Sequence, residues 1–146
     1  MHSQPAFRPD ALRAAREGAG LTQHQLAHLI GVAGGERVSR WELGTSTPRA
    51  AMVGRLARAL DVRISDLLAA DDRPDLRRLR LEAGYGSREA ARRAHVAPAT
   101  YLRWEAGAFR SMPSERVRRH LAGVLGVSMD VLRDALDESR RRRDSA

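Results

Sequence analysis

The chain has 146 residues, 42% of them hydrophobic but only 4% aromatic, with a net charge of +8 and no cysteine. These values exclude a disulfide scaffold and thiolate chemistry. They favour a core of Leu, Val, Ile and Ala in packed helices over sheets, which draw on aromatic and β-branched residues. All 26 basic residues are arginine, a balance compatible with nucleic acid and equally with a GC-rich bacterial genome.

Asp10 reads as the N-cap of a first helix that runs to about Glu17 and ends at Gly18-Ala19-Gly20. Thr22 caps a second, Gln23–Ile30, which Gly31 stops. A third covers about Glu36–Leu43 and ends at Gly44, and Pro48 opens a fourth that reaches about Leu60. Arg63 or Ser65 opens a fifth ending near Ala70. Leu12, Ala15, Leu26, Ala27, Ile30, Val38, Trp41, Leu56, Leu60 and Leu67 recur at three- and four-residue spacing and mark the inner faces. The second half repeats the plan with Leu76, Leu79, Ala91, Ala94, Tyr101, Trp104, Leu121, Val124, Leu125 and Leu132. No alternation is long enough for a strand, so the fold class is all-α.

The halves are an internal repeat. Shifted by 64, residues 12–33 fall on 76–97 with eight identities, among them Arg16/Arg80 and Gly20/Gly84. Shifted by 63, Arg40-Trp41-Glu42 and Gly44 meet Arg103-Trp104-Glu105 and Gly107. Shifted by 65, Pro48, Leu56, Ala57, Leu60, Val62 and Leu67 meet Pro113, Leu121, Ala122, Leu125, Val127 and Leu132. Loops absorb such small offsets. Asp71-Asp72-Arg73-Pro74 joins the halves, because Pro74 suits a helix start and not a helix interior. The expected organisation is therefore 1–73, 74–138 and a basic tail over 139–146. Residues 1–73 carry 10 Arg against 8 acids, and residues 74–146 carry 16 against 10. The run Arg140–Arg143 reads as disordered on its own, free to bind phosphates or to serve as a solubilising tail.

Two short helices around a Gly-centred turn are helix-turn-helix geometry. Leu21-Thr22-Gln23, Leu26-Ala27, Gly31-Val32, Val38-Ser39-Arg40-Trp41-Glu42, Gly44 and Pro48 together resemble the phage-repressor/Cro (XRE) type of helix-turn-helix domain, over about 8–70 and again over 74–135. The resemblance implies a DNA-binding protein whose third helix enters the major groove. On that reading Gly35, Glu36, Arg37 and Arg40 face base edges in the first half, and Pro98, Ala99, Thr100 and Arg103 in the second. An arginine fork suits guanine O6 and N7; the alternative for Arg40 and Arg103 is phosphate contact or a solvated surface. Gln23, at a helix start, is assigned to phosphate, or else it helps the cap at Thr22; Ser87 takes its place in the second half. Thr22, Thr45, Arg49, Arg88 and Arg110 complete the DNA-binding set. The resemblance also implies structural ion pairs, Arg16 with Glu42 and Arg80 with Glu105, and core roles for Trp41 and Trp104.

Several residues depart from the family's pattern. The turn Gly31–Gly35 is one residue longer than usual. His95 replaces the turn glycine and Ala90 a buried Leu in the second half. The segment Ala108–Met112 is extended, and Phe109 and Met112 there pack on the core, meet the other domain or touch DNA. His24 and His28 lie one helical turn apart without acidic or thiol ligands at metal spacing. No phosphate loop follows a strand, and no nucleophile motif occurs. The expectation is no enzyme, no cofactor, no metal and no small-molecule ligand. The expected partner is double-stranded DNA, with a homodimer as an alternative. The function class is a transcriptional regulator, repressor or activator, using both units on one composite site. The other class is a protein-interaction adaptor or antitoxin in which one unit serves dimerisation or partner binding. No apolar run nears the ~20 residues that span a bilayer, and residues 1–15 carry Arg8, Asp10 and Arg13 in place of an apolar leader. A cytoplasmic, nucleoid-associated protein without a membrane partner is therefore expected.

Overall fold

Nine α-helices and one 3₁₀ turn make up the regular structure of residues 6–146, the part that the computed structural model describes. Residues 1–5 of the expected first domain lie outside the described residues. The chain divides into two units at Ala70/Asp71, so Asp71–Arg73 belong with the second.

In the first unit α1 is Pro9–Gly18, α2 Gln23–Ile30, α3 Glu36–Leu43 and α4 Ala50–Leu60, followed by a 3₁₀ turn at Ile64–Leu67. α1 starts earlier than Asp10 because Pro9 supplies a preset φ at its first turn, with Arg8 as the flanking residue. Thr22 caps α2 in a full capping box. Its Oγ1 accepts from the Gln25 amide at 3.0 Å, and Gln25 Oε1 accepts from the Thr22 amide at 2.8 Å. Gln25, not Gln23, is the helper of the cap. α4 begins two residues after Pro48, with Arg49 extended ahead of it. The expected fifth helix is only the 3₁₀ turn, because Leu68 goes extended and pairs antiparallel with Phe7. There the Arg8 amide donates to Leu67 O at 2.8 Å and the Ala69 amide to Ala6 O at 2.6 Å. α3 packs on α1 and α2 over Leu12, Leu26, Val38, Trp41 and Leu56, all buried. Each Leu side chain so removed from water stabilises the unit by about 1.5–3 kcal/mol before entropic costs.

In the second unit α5 is Leu76–Ala83, α6 Ser87–Arg93, α7 Pro98–Glu105, α8 Glu115–Leu125 and α9 Met129–Asp144. Asp75, Ser114 and Ser128 cap α5, α8 and α9 with their side chains. The core runs through Leu76, Leu79, Ala90, Tyr101, Trp104, Leu121, Leu132 and Leu136, and Phe109 and Met112 pack against it. His95 adopts φ 57, the left-handed conformation that Gly31 adopts at φ 79 in the first unit. Its ring stacks on His120 with centroids 5.0 Å apart.

The C-terminal arginine run corrects the expectation of a disordered tail. Arg140–Arg143 form the last turn of α9, and intramolecular partners hold three of them. Arg141 and Arg142 both pair with Glu138, whose carboxylate is buried along its own helix. Arg142 also reaches Asp75 at 2.9 Å and the Arg73 carbonyl at 2.8 Å. Arg140 donates to the Arg110 carbonyl and lies over the Phe109 ring. Buried Ser139 accepts the Leu76 amide at 3.1 Å and donates to Ala135 O.

Candidate nucleic-acid interface

Each unit presents one short helix behind a turn. In the first, α3 follows Gly31–Gly35 and turns Val38 and Trp41 inward, which leaves Glu36, Arg37 and Arg40 exposed on one side. Gly35 serves the turn itself. A Cβ there would lie 3.1–3.2 Å from the backbone of Gln23 and His24, so the residue allows α3 to start close against the head of α2. Arg37 folds over the Trp41 ring, 5.8 Å from its centroid. Arg40 points to solvent from the middle of the exposed face. Thr45 closes the helix by donating its amide and hydroxyl to Arg40 O, at 3.0 and 3.3 Å. Arg49 is exposed at the head of α4.

The face is held by an ion pair beneath it. Arg16 on α1 donates Nε and Nη2 to the Glu42 carboxylate at 2.6 and 2.9 Å, and Nη1 to Leu21 O at 2.8 Å. The bidentate fork ties α1 to the end of α3, and the Glu42 hydrogen bond raises the Arg16 pKa further above its ordinary value. Gln23 joins this group, its Nε2 donating to Glu42 Oε1 at 3.2 Å. The half-buried amide thus connects the head of α2 to the same carboxylate.

The second unit repeats the arrangement. Arg80 donates Nε and Nη2 to Glu105 at 2.6 and 3.0 Å, and Nη1 to Tyr85 O at 3.0 Å. Both expected pairs are therefore present. Ser87 stands at the first position of α6 behind Gly86, which gives no side-chain cap, so the box seen at Thr22 has no counterpart here. Arg88, Ala99, Arg103 and Arg110 are exposed, and Thr100 is half-buried with its Oγ1 accepting from Arg103 Nη2 at 3.4 Å. The sequence reading missed Gln25, although Thr22-Gln23-His24-Gln25 is the spacing of a capping box. It also missed the Gln23–Glu42 bond, which joins residues 19 positions apart without a local signal.

Among the described residues no group of three His, Asp or Glu side chains is placed to hold a metal ion. No helix there is long and apolar enough to cross a membrane.

Two helix-turn-helix units in tandem, each with its third helix tied to its first by a part-buried Arg–Glu fork, define a DNA-binding class of protein. The Helix-turn-helix family model matches the chain twice, over residues 12–67 and 76–132. The chain belongs to this XRE-type helix-turn-helix family of DNA-binding regulators, as a tandem duplicate. No curated protein and no solved structure matches it.

Proposed function

We propose that the chain is a sequence-specific, double-stranded DNA-binding transcriptional regulator that sets both units on one composite site with unlike half-sites. The observation that carries this reading is an exposed arginine, Arg40 and Arg103, at the same place on two folded helix-turn-helix units. Exposed arginine forks suit guanine edges, and tethering raises the effective concentration of the second unit once the first is bound. The exposed faces of α3 and α7 share no other residue at matching positions, so a perfect palindrome does not suit one chain. Gln23, Thr22, Ser87, Arg88, Arg49, Thr45 and Arg110 are assigned to the DNA backbone around these faces.

Selection from random duplexes tests the proposal. One chain should occupy an asymmetric site, with affinity falling at a log–log salt slope of about −0.9 per phosphate neutralised. Arg40→Ala should cost about 1–3 kcal/mol on that site and relax preference at one base pair, whereas Gln23→Ala should weaken all duplexes alike. Uniform weakening by Arg40→Ala would reduce Arg40 to a phosphate contact. A perfect palindrome holding two chains would overturn the composite site.

A further inference from the structure

α3 and α7 occupy the same place in their units, yet the exposed faces of their first two turns differ in chemistry. On the first two turns of α3 the outward positions are Glu36, Arg37 and Arg40, which donate and accept hydrogen bonds, and exposed Leu43 follows at the end of the helix. On α7 they are Pro98, Ala99, Leu102 and Arg103. Leu102, in the place of Ser39, is 51% exposed. Residues 98 and 102, and 99 and 102, lie four and three apart, so the three apolar side chains adjoin on one surface. Nothing in the fold of the unit requires them outside, since Tyr101 and Trp104 fill the inner side of the same helix.

We infer that this face reads thymine: Ala99 and Leu102 of α7 contact the C5-methyl groups of thymines in the major groove, beside an Arg103 contact. The inference rests on the DNA-binding reading above and adds the base chemistry of the second half-site. In the major groove only thymine offers an apolar group at its edge, and small apolar side chains are its natural partners. Two observations favour DNA over a protein as the occupant. Arg103 shares the patch, and exposed Arg88 and Arg110 stand on the segments just before and after α7, a cationic setting that suits a polyanion. The patch is also only three side chains wide, far short of the roughly 800 Å² per partner that a stable protein interface needs. One methyl group per side chain is enough for readout.

Replacing thymine by uracil removes the methyl and leaves every hydrogen-bonding edge intact. The test uses the full chain on its selected duplex, with each thymine changed in turn to uracil, and binding read by fluorescence anisotropy. At one or more positions of one half-site, uracil should weaken the wild-type chain about fourfold, the factor that burying one methyl-sized group is worth. Leu102→Ser, an exposed change to the residue found at Ser39, should bind thymine and uracil duplexes alike at one of those positions. Its melting temperature should match the wild type. Two results would overturn the inference: no uracil-sensitive position, or the same sensitive positions in Leu102→Ser as in the wild type. A chain whose binding is untouched by both Leu102→Ser and Arg103→Ala would assign the α7 face to a protein partner. Failure to bind any duplex would instead remove the DNA-binding reading itself.

Discussion

The first unit joins its two ends backbone to backbone, with Phe7 bridged to Leu68 and the Ala6 and Leu67 carbonyls accepting across the gap. The second unit joins its ends through side chains. A 16-residue α9 stands where the first unit has a four-residue 3₁₀ turn, and Ser139 and Arg142 reach back to Leu76, Asp75 and Arg73. The same interior helices are thus closed by different means. Beneath α3 and α7 the Arg–Glu fork and the tryptophan stay constant, whereas buried Leu26 and Val38 of the first unit correspond to Ala90 and Tyr101 in the second. The position of the third helix in each unit is held by the repeat, whereas closure and surface chemistry differ.

The forks should give the largest effects. Glu42→Ala leaves the part-buried Arg16, and Glu105→Ala the buried Arg80, without a partner, at up to about 3–5 kcal/mol. Glu42 carries an additional donor, Gln23, so its loss should cost the more of the two. Thermal melts of both variants check the order. The preferred DNA sequence should barely change, and a changed preference with an unchanged melting temperature would contradict a structural role.

Smaller effects are expected at the glycines that follow α3 and α7. Gly44 and Gly107 both have positive φ, 76 and 71, where an alanine costs ~1–2 kcal/mol. At Gly44 an added Cβ meets only Pro9 Cγ at 3.6 Å. At Gly107 it would sit 2.7 Å from the Ser139 carbonyl carbon and closer still to the oxygen, against backbone that must shift. Gly107→Ala should therefore cost a further ~1–3 kcal/mol. Equal losses for the two variants, measured by denaturant unfolding, would mean that α9 is not seated firmly on the end of α7.

Glu138 gives the smallest effect and a pH signature. Hydrogen bonds from Arg141, and then from Arg142, outweigh desolvation and hold its carboxyl at about 2, against an ordinary value of 4.5. A depressed carboxylate stabilises the fold fully above the unfolded value and loses that stability as pH falls through the folded one. The second unit should therefore soften between about pH 4.5 and pH 2. Glu138→Gln should lower its melting temperature by a few degrees near neutrality and flatten the acid decline. Parallel pH profiles for variant and wild type would show that these pairs contribute nothing.

Much of this was legible in the sequence. The offset repeats, the helical spacing and the Thr22 cap place the helices, because these signals are local or periodic, whereas both ion pairs followed from the family resemblance. The end of the chain was not legible. Arg140–Arg143 has the composition of a solvated run, and the partners that hold Arg142, Asp75 and the Arg73 carbonyl, lie 67 and 69 positions away. The Phe7–Leu68 bridge is also long-range and too short to show alternation. On α7, the exposed Leu102 carries a helical apolar period without being core, and only the burial of its neighbours separates the two.

Because each unit closes on its own last residues, the two cannot finish together during synthesis. Leu68 leaves the ribosome on the order of ten seconds before Ser139, at ~5–20 residues per second. The first unit has that interval to complete its core before a rival copy of its helices exists in closable form. Two similar sequences on one chain are at risk of exchanging segments. The late-arriving clasp of α9 on α5 separates their folding in time, and a circular rearrangement that brought α9 out first would remove the separation.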